Sequence, residues 1–253
     1  MTRSRDLALA AGVLALGLGC DVEEPRDVGC ELPPRDCVGK GCADLVRFTP
    51  VYGPGYMDVP VAGEDTSETS TSYVRRDLRA LIEYAAARVD CVAAEWTPGE
   101  ARPLVLGDAS DQRGRTPGSR TDAPRHPRHT HVHGRDIDLG YYQTGAPDNQ
   151  LRAICAHVVD GVDVAHCIAP PDHLDAMRTA LFIGTLYESP RIRTIGVDGQ
   201  AAAPILAAIG SLCARGIVTP EACERVHLAY EAEDTGLGWF LSHHGHLHVS
   251  VLP

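Results

Sequence analysis

The sequence predicts an α+β domain in which helices flank an antiparallel sheet. Helical and alternating apolar spacings are interspersed along the chain, the chain closes on an alternating strand, and no strand is followed by the glycine-rich loop that opens a nucleotide-binding fold. With 253 residues, 44% of them apolar, the chain can bury one substantial core.

The elements follow in order. Val74, Leu78, Leu81, Ile82, Ala85 and Val89 recur at helical spacing over residues 73–90, with Thr71 or Ser72 available as the cap. Pro103 to Gly107 reads as a strand and feeds a long loop rich in Arg, Gly, Pro and Thr, from Asp108 to Thr130. The stretch after Gly134 has strand character. A helix is expected from Pro171-Asp172 to about Glu188, stopped by Pro190, then a strand from Arg191 to Val197 and a helix from Ala201 to Leu212. Thr219-Pro220 caps a third helix, and His246 to Leu252 alternates as a strand.

The N-terminal stretch has the form of an export signal over residues 1–19: Arg3 and Arg5, then an apolar run from Leu7 to Leu18. Cys20 after Leu-Gly-Leu-Gly resembles the lipobox of bacterial lipoproteins, which implies a lipid-bearing cysteine. Residues 20–45 read as a Cys- and Pro-rich tether and residues 46–253 as the folded domain. Setting Cys20 aside leaves eight cysteines, an even number that in an exported chain points to disulfides and an oxidising compartment. Eight cysteines allow 105 connectivities, so the sequence leaves the pairing open; Cys213 with Cys223, which bracket Ala-Arg-Gly-Ile-Val-Thr-Pro-Glu-Ala, is the one pair expected. The formal net charge of -11 repels phosphate backbones and anionic membrane surfaces, so nucleic acid is excluded as a partner and membrane contact is expected only through a lipid.

Eight of the twelve histidines fall in or beside two stretches, His131-Val-His-Gly-Arg-Asp-Ile-Asp138 and His243-His-Gly-His-Leu-His248. In a strand, His246 and His248 leave the same face while Leu247 and Val249 leave the other toward the core, so one imidazole could bind a metal and its neighbour stand beside the open position. His131 and Asp138 are seven positions apart, roughly 20 Å or more if extended, whereas a zinc ligand bond is about 2 Å; the chain must turn, and Gly134 permits it. Asp136 and Asp138 then share a strand face. Two nitrogens, one carboxylate and a water make the tetrahedral set that catalytic zinc uses.

The pattern His-x-His-Gly-Arg-Asp-Ile-Asp, followed more than a hundred residues later by His-x-x-His-x-His, resembles the penicillin-insensitive murein endopeptidases. These belong to the wider group of lysostaphin-like, D-Ala-D-Ala-cleaving and hedgehog-like zinc domains. The family pattern is Ser-His-Gln-x-Gly-Leu-Asp-x-Asp; here Thr130 stands for Ser, Val132-His133 for Gln-x and Arg135 for Leu. The resemblance covers about residues 103–252, including Gly107-Asp-Ala-Ser110. It implies zinc held by His131, Asp138 and His248, His246 as the general base acting on zinc-activated water, and His243 as a further active-site residue.

It also implies a hedgehog-like fold, peptidoglycan stem peptides as partners, a cross-link endopeptidase activity and a periplasmic or envelope location. A D-Ala carboxypeptidase and a non-catalytic zinc-containing binding domain are the alternatives. Asp136 is expected to orient a ligand imidazole, with a solvated carboxylate as the plain reading. Asp108, Ser110, Arg113, Arg115 and Arg120 could meet substrate, or simply turn the chain and face solvent. A competing register pairs His129 with Asp136; the position of the family glycine favours His131. His126, His129, His133 and His244 match no role and read as solvated or supporting residues, and His157, His166, His173 and His227 as ordinary helix or loop residues.

Overall fold

The computed structural model describes residues 29–58, 71–96, 102–117, 126–127 and 129–253. The expected export signal, Cys20 and Arg120 lie outside the described residues. After a 3-10 turn at Lys40–Ala43 come β1 (Leu45–Arg47), β2 (Tyr52–Gly53), β3 (Tyr56–Asp58), β4 (Tyr73–Arg75), α1 (Arg76–Val92), β5 (Leu104–Leu106) and β6 (Asp136–Gly140). The second half adds β7 (Val158–Val159), β8 (Val162–Asp163), α2 (Ala176–Leu186), β9 (Ile192–Gly196), α3 (Gly199–Ala214), α4 (Pro220–Arg225), β10 (Leu228–Ala229) and β11 (His246–Val251).

A seven-stranded sheet of order β10-β9-β11-β6-β5-β3-β2 organises the molecule, confirming a mixed α and β domain. Its centre, β9-β11-β6-β5, is antiparallel as expected, but β3 with β5 and β9 with β10 pair in parallel. Connectivity explains the departure: α1 lies between β3 and β5, and α3 with α4 between β9 and β10, and a crossover helix returns the chain in the same direction.

Helices α2, α3 and α4 begin where side chains cap them. Asp175 accepts from Arg178 N at 3.0 Å and Asp198 from Gln200 N at 2.8 Å, so α2 starts a turn later than Pro171-Asp172. Thr219 caps α4 as expected, accepting from Ala222 N. Neither Thr71 nor Ser72 caps α1, because residues 73–75 pair with β1 and the helix cannot begin until that ladder ends. Arg178, 1% exposed, fastens α2 to the end of α1: it donates to Asp175 at 2.6 Å and to the carbonyls of Ala93 and Trp96 at 2.7 Å.

Four disulfides join Cys30 to Cys91, Cys37 to Cys42, Cys155 to Cys167 and Cys213 to Cys223, the last being the expected pair. They mark an oxidising, extracytoplasmic setting. The segment beginning at Cys30 is fastened to α1 through Cys91. Among the described residues no helix is long and apolar enough to cross a membrane.

Alternation on the two central strands separates core from site. Leu247, Val249 and Val251 on β11 and Ile137 and Leu139 on β6 join the buried core with the helices. The opposite face carries His246 and His248, with His248 directly across from Asp138 and Ser250 from Asp136.

Candidate metal centre

The centre is built where a strained turn meets the middle of the sheet. His131 (φ 53°), His133 (φ 57°) and Gly134 (φ 64°) are left-handed, which turns the chain sharply into β6. A Cβ on Gly134 would lie 2.6 Å from Arg75 N, so glycine there serves both the turn and the close approach to β4. Left-handed conformations at two histidines cost of order 1–3 kcal/mol each and cluster at functional sites. His131 is aimed inward and only 1% exposed, whereas His129 and His133 are exposed and the competing register is not used.

Asp138 is the hub. Its Oδ1 lies 2.9 Å from His248 Nδ1 and 3.4 Å from His131 Nε2, and its Oδ2 lies 3.7 Å from both His126 Nδ1 and His246 Nε2. The rings of His131 and His248 stand 4.9 Å apart. Donor atoms of His126, His131 and Asp138 fall within 4.8 Å of one another, and a metal ion could be held there. Ligands of a tetrahedral ion with bonds of about 2.0–2.1 Å sit about 3.3 Å apart, close to the His131 to Asp138 spacing. His131 Nδ1 is also buried without a hydrogen-bond partner among the described residues.

His126 is the residue the sequence reading missed. Its Nε2 lies 2.7 Å from Asp108 Oδ2; a carboxylate accepts, so this nitrogen carries the proton and Nδ1 keeps its lone pair toward Asp138. Asp108 therefore meets the site through a ring. Nothing in the sequence separates His126 from its neighbours, since its approach to His131, with ring centroids 4.0 Å apart, is made by the loop in space.

Asp136 stands beside His248 Nε2 at 3.4 Å and accepts from Ser250 Oγ, with Arg193 at 3.6 Å. Burial opposes charge on His248, but hydrogen bonds to Asp136 and Asp138 outweigh it and raise its pKa to about 9. Burial works against ionisation of Asp138 too, yet His131 and His246 hold its carboxyl well below the usual carboxylate range. For His246 burial prevails and lowers the pKa to about 4. His243 is lowered for the same reason, and its ring lies 5.4 Å from that of His246.

These side chains line a cleft of about 600 Å³ whose far wall is the loop bearing Leu237, Trp239, Phe240 and Leu241. Glu231, buried, shapes that wall: its carboxylate accepts from the backbone N–H groups of Thr235, Leu237, Trp239 and Phe240 and from the Thr235 hydroxyl. Residues Ser110, Arg113 and Arg115 are not brought into the cleft. Ser110 is buried and donates to the Tyr73 carbonyl at 2.7 Å, and Arg115 pairs with Asp111 at 2.8 Å on the surface, where Arg113 is also exposed. Ser110 thus ties the start of the loop to β4, and the two arginines face solvent, which is their plain reading.

A second His/Asp cluster that could hold a metal ion, His157 with Asp163 and His244, lies among residues the sequence reading left without a role. Compared with known proteins, the chain matches no family model and no curated protein.

Proposed function

We propose that this chain is an exported zinc peptidase of the hedgehog-like group that opens peptide cross-links in peptidoglycan, anchored in the envelope by lipid on Cys20. The observation that carries the reading is the convergence of His131 and His248 on Asp138 at the floor of a cleft, with His246 and His243 beside them. Imidazole nitrogens with one carboxylate suit zinc, and His131, Asp138 and His248 would hold it, with His126 as a further donor. Zinc bound there would supply Lewis acidity and a water of pKa about 7.

The chain's own residues do the rest. His246 Nε2, 3.7 Å from Asp138 Oδ2, stands where it can take a proton from a nucleophile beside Asp138 and hand it to a leaving amine. Asp136 and Asp108 accept from ligand rings and thereby fix which nitrogen faces inward. The apolar wall at Trp239 and Phe240 excludes water from one side and gives a stem peptide a surface to lie against.

The test is a digest of purified, cross-linked muropeptides by zinc-loaded protein, read by mass. Loss of dimers with gain of monomers is expected. Loss of a single alanine from monomers would mark a carboxypeptidase instead, and unchanged muropeptides with zinc bound would mark a binding domain.

A further inference from the structure

His157, Asp163 and His244 each offer a donor atom within 4.8 Å of the others, and the cleft chemistry uses none of them. We propose that these three side chains bind a second zinc-type divalent cation, which clasps the β7–β8 hairpin to the segment between His243 and His246. This inference is independent of the peptidase reading.

The donor atoms are prepared. His157 Nδ1 lies 3.0 Å from the Cys155 carbonyl; a carbonyl only accepts, so Nδ1 carries the proton and Nε2 keeps the lone pair a metal needs. Asp163 accepts from Ala165 N through Oδ1 at 2.7 Å, which leaves Oδ2 free, 3.8 Å from His244 Nε2. That separation is too long for a hydrogen bond and near the spacing of about 3.3 Å between two ligands of one tetrahedral ion. The rings of His157 and His244 face each other at 5.0 Å with an interplanar angle of 32°. Two imidazoles and one carboxylate select zinc or a similar first-row ion; calcium would call for six or more oxygens. Exposed Asp163 leaves a side open to solvent for water to complete the set.

The hairpin also has a use for such a clasp. Its strands are two residues each, Val158, Val159 and Val162 are 50%, 43% and 64% exposed, and a two-stranded ribbon is marginal by itself. The Cys155–Cys167 disulfide closes its neck, and an ion at His157 and Asp163 would tie both legs to His244. The backbone there already joins the two segments: Ile154 N donates to the His244 carbonyl at 3.0 Å and Ser242 N to the Ala165 carbonyl at 2.7 Å. Occupancy would therefore steady the stretch that presents His243 and His246 to the cleft.

The experiment counts zinc on the oxidised full chain after chelator stripping and dialysis against buffered Zn2+. Two ions per wild-type chain are expected, one in Asp163→Asn and in His157→Gln, one in Asp138→Asn, and none in Asp138→Asn/Asp163→Asn. Asn keeps the Oδ1 acceptor for Ala165 N, and both outer positions are at least partly exposed, so these variants should fold. Zinc should also slow hydrogen exchange across residues 157–164 in Asp138→Asn but not in Asp163→Asn. A single ion that Asp163→Asn and His157→Gln both leave in place overturns the proposal; a single ion that they remove upholds it and rejects the cleft site instead.

Discussion

Asp138 concentrates the charge of the cleft, with the rings of His126, His131, His246 and His248 all within 3.7 Å of its oxygens. In the zinc reading, Asp138→Asn keeps the shape and removes the anion, so cleft zinc should be lost in the same metal count. Asp108 acts through His126. Asp108→Ala should weaken cleft zinc by about 10- to 100-fold, measured by chelator competition, because the ring loses the acceptor that holds its tautomer. His246→Ala should leave zinc bound and lower turnover by roughly 10² or more, as loss of a proton acceptor does. Retained turnover with zinc in place would remove His246 from the role of base.

At the scale of elements, the wall loop depends on one carboxylate. Hydrogen bonding from the Thr235 hydroxyl leads the causes that lower the Glu231 pKa to about 2, with backbone donors from Trp239, Leu237 and Thr235 adding to it. A folded pKa below the ordinary value of 4.5 stabilises the loop fully above pH 4.5, and that support fades as pH falls toward 2. Trp239 fluorescence should report this acid transition, and Glu231→Gln should loosen the loop already at pH 7. An unchanged spectrum in the variant would contradict the bracing role. Gly196 belongs to the same wall, since a Cβ there would fall 2.1 Å from the Trp239 ring; Gly196→Ala should displace the indole without disturbing β9. On the helical side, Arg178→Ala leaves Asp175 buried without its cation and frees two carbonyls. It should cost about 3–5 kcal/mol in denaturant unfolding.

For the molecule as a whole, the cross-links differ in how much chain they restrain. Cys30–Cys91 spans 61 residues and Cys37–Cys42 only 5. In the chain-entropy model the first restrains the unfolded state by about 4 kcal/mol and the second by about 2 kcal/mol. Replacing the first pair with alanine should therefore lower the thermal midpoint more than replacing the second, and the reverse order would show that folded-state contacts govern the difference.

Much of this architecture could be read before any coordinates. Period and punctuation located α1, α2, α3, α4, β5, β9 and β11, because apolar spacing and caps are local properties. The alternation in His246-Leu-His-Val likewise assigned two imidazoles to one face. Parallel pairing at the sheet edges, the entry of His126 beside His131, and the meeting of His157 with His244 depend on contacts between residues far apart along the chain or on the path of a loop. Local spacing carries no information about those distances, so packing alone settles them. The same holds for Glu231, an unremarkable acid by sequence whose five hydrogen bonds exist only once the loop has closed around it.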